Sequence, residues 1–146
     1  WRPQINVDVR APLFLATRMA DALPEGEAGA VINLLDQRVW RPTPEFFSYS
    51  LSKAALWDAT RMLAQALAPA VRVNGIGPGP VLQSVHQSAD EFAAEAHGTL
   101  LGAAVDPKEI AKAVLFILDA PAMTGQMIAL DGGQHLAWTP EVTGEK

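Results

Sequence analysis

Tyr49 and Lys53 stand four residues apart in Tyr49-Ser50-Leu51-Ser52-Lys53, a spacing that puts both on one face of a helix. A phenol ordinarily titrates near pH ~10, so alone it is a poor acid or base at neutrality. A neighbouring ammonium stabilises the phenolate, and a helix N-terminus one turn away acts in the same sense. A phenol tuned in this way can hand a proton to a carbonyl or imine while hydride reaches the other face. The plain alternative is a solvated lysine beside a half-buried tyrosine, and the spacing alone does not decide between them. Other chemistry-bearing residues are sparse. There is no cysteine, which excludes disulfides, thiolate zinc sites and a cysteine nucleophile together. His86, His97 and His135 lack the spacing of metal ligands and have no evident acidic partner, so they read as surface histidines and no metal site is expected. Gly75-Ile76-Gly77-Pro78-Gly79 is not a dinucleotide-binding glycine loop: its spacing differs, a proline interrupts it and no helix follows directly.

The elements that must position the pair can be read from periodicity and punctuation. Ile5, Val9, Leu13, Ala16, Met19, Ala20 and Leu23 recur at three- and four-residue steps, which predicts a helix over 5–23. Pro12 removes one backbone donor from it and leaves the carbonyl of Asp8 without its helical partner, so a kink is expected there. Ala30–Leu35 has almost no polar face, as in a strand covered on both sides. Thr43-Pro44 predicts the start of a helix running to about Ala68, with Pro69 as its stop. Val71–Ile76 is the next strand, giving a strand–helix–strand crossover. A short helix is expected around Ala89–His97. Asp106-Pro107-Lys108-Glu109 opens another, whose Ile110, Ala111, Val114, Ile117 and Leu118 should face the core. Gln126–Leu130 is the last strand, and the tail from Thr139 reads as polar and loose. Alternation of strands and helices implies an open α/β sheet with helices on both faces.

Composition bounds the class of function. The 146 residues form one domain-sized unit, 49% hydrophobic and 18% charged, a globular balance. The net charge of −5, with no basic run, speaks against a nucleic-acid partner. No apolar stretch reaches the ~18 residues of a membrane span, and no signal segment opens the chain, so no membrane association and a cytoplasmic location are expected. The start at Trp1, almost inside a helix, and the small number of strands lead to the expectation that upstream sequence is missing.

Five ordered segments together resemble the short-chain dehydrogenase/reductase family over essentially the whole chain: Asn6 in N-x-x-x-x-x-P, AVINLLD, YSLSKAAL, VRVNGIGPGPV and MTGQMIALDGG. The resemblance implies the C-terminal half of a Rossmann-type doubly wound parallel sheet over 1–138, with a polar tail at 139–146 and the N-terminal glycine-loop half absent. It implies Tyr49 as proton donor or acceptor, and Lys53 as the group that lowers its pKa and holds the nicotinamide ribose. Asn6 would hold a water in a proton relay. Pro78, Gly79 and Val81, with Tyr49 and Lys53, would line the nicotinamide end of the cofactor, NADPH with NAD not excluded. Asp36 departs from the common pattern, because that slot usually holds a serine. An aspartate there is similar to the pteridine reductase branch, including bacterial dihydromonapterin and dihydrofolate reductase-like members, as are DQRVWRPTPEFFSYSLSKAALW and DGGQHLAW. A carboxyl group can pass a proton to a ring nitrogen, and Trp40 or Phe46 could offer a flat wall, although core or interface packing is their ordinary use. Asp36 as a turn cap is the plain alternative.

The expected activity is therefore NADPH-dependent reduction of a pteridine-like small molecule by a homodimer or homotetramer, the fragment alone being inactive. Alternatives are reduction or oxidation of a carbonyl or hydroxyl substrate, as in an oxoacyl-carrier-protein reductase, or a non-catalytic pairing module.

Overall fold

The computed structural model describes residues 1–138; the expected polar tail at 139–146 lies outside the described residues. Val71, Val73 and Ile76 are the driest apolar positions along one strand, each at most 1% exposed. That strand, β2 (Val71–Pro78), lies between β1 (Gly29–Leu34) and β3 (Met127–Leu130) in a parallel sheet ordered β1-β2-β3. Successive side chains of a strand point to opposite faces, and the two faces of β2 select different helices. Val71 and Val73 cluster with Ala16 of α2 (Ala11–Ala22) and with Leu63 and Ala64 of α3 (Phe47–Leu67). Ile76 clusters instead with Ala113 and Ile117 of α5 (Pro107–Leu118). Helices thus cover both sides of a parallel α/β sheet, as the alternation of elements led us to expect.

β1 departs from its expected burial. Only Asn33 of its six residues is buried, Leu34 is 55% exposed, and among the described residues no strand pairs with its outer edge. The apolar run anticipates a neighbour that these residues do not supply.

The first helix is continuous but changes pitch. Asn6–Arg10 form a π-helical turn between α1 (Arg2–Ile5) and α2, closed by the Ala11 N–H donating to the Asn6 carbonyl. Pro12 is the expected cause: without its N–H the ordinary ladder cannot continue, and the turn widens instead of kinking.

α3 starts three residues later than Thr43-Pro44 suggested. Its N-cap position is Phe46, in the left-handed region at φ 49°, with no side-chain cap. Thr43 caps nothing, and its hydroxyl is buried without a partner. The first turn is tied down by Ser50, whose hydroxyl donates to the Glu45 carbonyl at 3.0 Å. The other two starts follow side-chain chemistry closely. Ser88 and Glu91 form a reciprocal capping box for α4 (Ala89–His97), and Asp106 caps α5 through the Lys108 N–H. On α5, Ala113 and Ile117 are buried and Ile110 and Val114 half-buried, whereas the expected core residues Ala111 and Leu118 are exposed.

Buried polar ties fix the remaining geometry. Asn33 on β1 donates to the Thr60 hydroxyl on α3 at 2.9 Å, and Thr60 donates to the Leu56 carbonyl at 2.7 Å. Asn74 donates to the Met123 carbonyl and accepts from the Gln126 N–H, which pins β3 beside β2. Arg72 donates to the carbonyls of Ile117, Leu118, Ala120 and Met123, satisfying the C-terminal end of α5.

Thr60→Val removes an acceptor and strands the buried Asn33 amide, so it should cost about 1–3 kcal/mol of stability. Adding Asn33→Leu removes the orphaned group and should recover most of that loss. Denaturant titration of the single and double variants checks both statements.

Candidate active site

Asp36 leaves the carboxyl end of β1 in extended conformation and spends its two oxygens separately. Oδ1 accepts from the Arg38 N–H at 2.8 Å and caps the following 3-10 turn, Gln37–Val39. Oδ2 accepts from the Tyr49 hydroxyl at 2.9 Å. Turn capping and contact with the phenol are thus both present in one carboxylate. Lys53, one turn beyond Tyr49 on α3, places its Nζ 5.6 Å from the tyrosine ring centroid. That ammonium donates to the Leu34 carbonyl at 2.9 Å, and the Asp8 carboxylate lies 3.9 Å away. Asp8 in turn accepts from the Ser52 hydroxyl at 2.8 Å and from the Gln4 amide.

This arrangement reverses the expected effect on the phenol. Burial pushes the Tyr49 pKa well above its ordinary value, and the charge of Asp36, its hydrogen bond and the charge of Asp8 push the same way; Arg38 opposes them. Lys53 is not among the main influences on it: its ammonium donates to the Leu34 carbonyl, with Asp8 3.9 Å away. A carboxylate that accepts the phenol proton stabilises the neutral phenol.

Asn6 is not brought to this site. It is exposed, and its side chain accepts from Arg10 one turn along the same helix. The residue of that helix that faces Lys53 is Asp8, whose side chain is 12% exposed. Two positions on a regular helix point in nearly opposite directions, and the π-helical turn shifts the phase again, so spacing from Pro12 does not identify the inward residue. The usable signal was the orphaned Asp8 carbonyl itself, which marks where the helix must deform. Ser52, fully buried between Asp8 and the Tyr49 carbonyl, was also missed.

The opposite wall comes from β2. Pro78, Gly79 and Val81 line the same cavity of about 900 Å³ as Asp36 and Tyr49. Gly79 is required by close approach: a Cβ there would lie 2.7 Å from the Asp131 Cα. Asp131, only 3% exposed, accepts from the backbone N–H groups of Gly133 and His135, and its Oδ2 lies 2.6 Å from the His135 Nδ1. Burial raises the Asp131 pKa, but these hydrogen bonds outweigh it and hold the group below the ordinary carboxylate range. His135 is therefore not a free surface histidine: it is half-buried, partnered by Asp131 and edge-on to Trp40 at 5.1 Å. Phe46 lines the cavity, and Trp40 does not. Among the described residues no cluster of three or more His, Cys, Asp or Glu could hold a metal ion, and no helix is long and apolar enough to cross a membrane.

Residues 1–135 match the family model described as enoyl-(acyl carrier protein) reductase, one of the short-chain dehydrogenase/reductase models. The chain belongs to the short-chain dehydrogenase/reductase family. Within that family it is 33% identical over 135 residues to dihydromonapterin reductase of Escherichia coli K12, covering 90% of this chain and 56% of that protein. The structure of FolM alternative dihydrofolate reductase 1 from Brucella suis, in complex with NADP, is 49% identical with a TM-score of 0.94, over 98% of this chain and 58% of that one. A short-chain oxidoreductase of Clostridium thermocellum, solved without ligand, is 27% identical with a TM-score of 0.80, over 98% and 56% respectively. The chain thus spans just over half the length of these short-chain dehydrogenase/reductase relatives.

Tyr49 should titrate above the ordinary phenol range, and Asp36→Asn should bring it down, since two of the upward influences come from Asp36. Tyrosine Cζ chemical shifts followed by NMR against pH, assigned with Tyr49→Phe, read this directly. The linked stability is complete below about pH 10 and is lost as pH rises from there through the folded pKa. A variant that titrates no lower than the parent would contradict the assignment.

Proposed function

We propose that the complete protein containing this chain is an NADPH-dependent reductase of a pteridine-like small molecule, with Tyr49 and Asp36 supplying the proton. The observation that carries this reading is the Tyr49–Asp36 hydrogen bond at the cavity wall, where the family pattern has a serine hydroxyl in place of the carboxylate. The dihydropterin and dihydrofolate reductases among the relatives support the same substrate class, and the Brucella structure with NADP supports the cofactor.

The residues present fit the nicotinamide end of such a cofactor. An ammonium has three protons to donate, and Lys53 commits one to the Leu34 carbonyl, leaving others for ribose hydroxyls. Pro78, Gly79 and Val81 form the facing wall at the carboxyl edge of β2, the ligand side of open α/β sheets. The cofactor supplies hydride; the chain holds the proton. Tyr49 and Asp36 share one hydrogen bond and present an acid to a ring nitrogen of the substrate. Asp8, and not Asn6, anchors Lys53 from behind and sits where a proton relay to it would pass. The preference for NADPH over NAD depends on residues after the second strand of such folds, beyond this chain. A homodimer or homotetramer is the proposed assembly.

Reduction of a simple carbonyl is the second reading, and Asp36 discriminates the two. A ketone oxygen can be served by the tyrosine alone, whereas a ring nitrogen draws on the proton that Tyr49 and Asp36 share. In the complete enzyme Asp36→Ser should lower kcat/KM for a dihydropterin at least roughly a hundredfold, with a much smaller loss on an activated ketone. Equal losses on both would favour the carbonyl reading.

Tyr49→Phe should abolish turnover and leave NADPH binding nearly intact, because the ring keeps its shape and loses only the proton. Lys53→Ala should weaken both. Steady-state rates and NADPH fluorescence titration separate these effects; a Phe variant retaining more than about a tenth of kcat would contradict the role of Tyr49.

A further inference from the structure

Arg38 is the single lysine or arginine side chain among the residues lining the cavity, and it joins no ion pair among the described residues. Its guanidinium carbon lies 5.1 Å from the centroid of the Phe46 ring. Phe46 is 66% exposed and held at φ 49°, a backbone conformation that non-glycine residues adopt only where the surroundings impose it. An exposed aromatic ring in such a conformation, on the cavity wall, with a cation stacked over it, makes a flat polar-and-apolar surface beside the reacting pair.

The acidic residues of the same cavity are largely committed to other partners. Asp36 accepts from Tyr49 and the Arg38 N–H, Glu91 from Ser88, and Glu95 from the side-chain amides of Gln87 and Gln134. Glu45 lies exposed at the rim, outside ion-pair distance of the guanidinium. The charge of Arg38 is therefore left for something that enters.

We propose that Arg38, held over Phe46, is an anion-receiving shelf that binds the carboxylate-bearing tail of the ring substrate reduced at Tyr49 and Asp36. The proposal deepens the pteridine reading above and rests on it for the ring, but the shelf itself rests on Arg38 and Phe46. A guanidinium takes a carboxylate through two parallel N–H donors, and partial burial shields that pair from solvent screening. The Phe46 ring adds a face for an aryl segment between ring and carboxylate. A neutral polyol side chain gains neither contact. The shelf therefore selects a pteridine with an acidic aryl tail, of the dihydrofolate kind, over one with a neutral tail, of the dihydromonapterin kind.

The test uses the full-length enzyme with Arg38→Met and Arg38→Lys. Because the charge also acts on Tyr49, the quantity to compare is the ratio of kcat/KM for dihydrofolate to that for dihydromonapterin, in which effects on the shared ring chemistry cancel. The ratio should fall at least roughly tenfold in Arg38→Met and be substantially restored in Arg38→Lys. Raising the salt concentration should lower it in the parent and hardly alter it in Arg38→Met. Independently of turnover, p-aminobenzoylglutamate, the tail alone, should bind the parent in calorimetric titration and lose at least roughly tenfold in affinity in Arg38→Met. An unchanged ratio together with unchanged fragment affinity overturns the shelf, whatever the rates, as does failure of the parent to bind the fragment. If the parent reduces neither pteridine yet binds the fragment through Arg38, the proposed reaction fails and the shelf stands.

Discussion

The position of every candidate catalytic group depends on how α3 is clamped to β1. Asp36 comes from the end of β1, and Tyr49 and Lys53 come from the first two turns of α3, so a small slide of helix on strand would part the phenol from the carboxylate. The clamp is polar and fully enclosed: the Asn33 amide reaches the Thr60 hydroxyl, which in turn reaches back to the Leu56 carbonyl. Hydrophobic contacts among Ala16, Leu63, Ala64, Val71 and Val73 supply the attraction between layers, but such contacts tolerate sliding. A directional bond in a dry environment does not, because misalignment strands two polar groups at once.

A second consequence of that clamp is the crowding of charge around one ammonium. Lys53 is approached by Asp8 from the first helix and by the Leu34 carbonyl from β1, while Asp36 occupies the side nearer the phenol. Burial is the main cause of the raised Tyr49 pKa, and the charges of Asp36 and Asp8 add to it against the opposing charge of Arg38. The usual picture of a lysine drawing down its tyrosine therefore depends on where the lysine points, and spacing along the helix does not contain that information.

Much of the fold was legible because it is written in local chemistry. Asp106 with Pro107 marks its helix start almost to the residue, and the apolar runs at 30–35 and 71–76 mark strands that the structure places at Gly29–Leu34 and Val71–Pro78. Thr43-Pro44 carried the same local signal and misled, since Phe46 enters a left-handed conformation that leaves the true helix start without a side-chain cap. The site divided along the same line. Tyr49, Asp36, Pro78, Gly79 and Val81 converge on one cavity because they sit near element ends whose order the topology fixes, while Lys53, one turn beyond Tyr49, lines a second cavity with Asp8. Asn6 does not, because the π-helical turn before Pro12 changes which side chain faces inward, and it was Asp8 that turned toward Lys53. Burial on α5 shows a milder form of the same problem: Ala111 and Leu118 fit the apolar pattern but lie outside the narrow stripe that touches β2 and β3.

At the Asp36 position a carboxylate and a hydroxyl are not equivalent neighbours for a phenol. A serine can both donate and accept, so it can support either protonation state of Tyr49. An ionised carboxylate only accepts, and it therefore locks the phenol proton in the bond between them. A site built this way rests with its proton loaded, which suits giving a proton more than taking one. On the proposed reading, a substrate nitrogen that accepts from the pair draws on that shared proton, and the pair is restored when another arrives. Asp8 is the carboxylate that meets Lys53, 3.9 Å from its ammonium and held by the Ser52 hydroxyl, and Asp8 and Lys53 line a second cavity together.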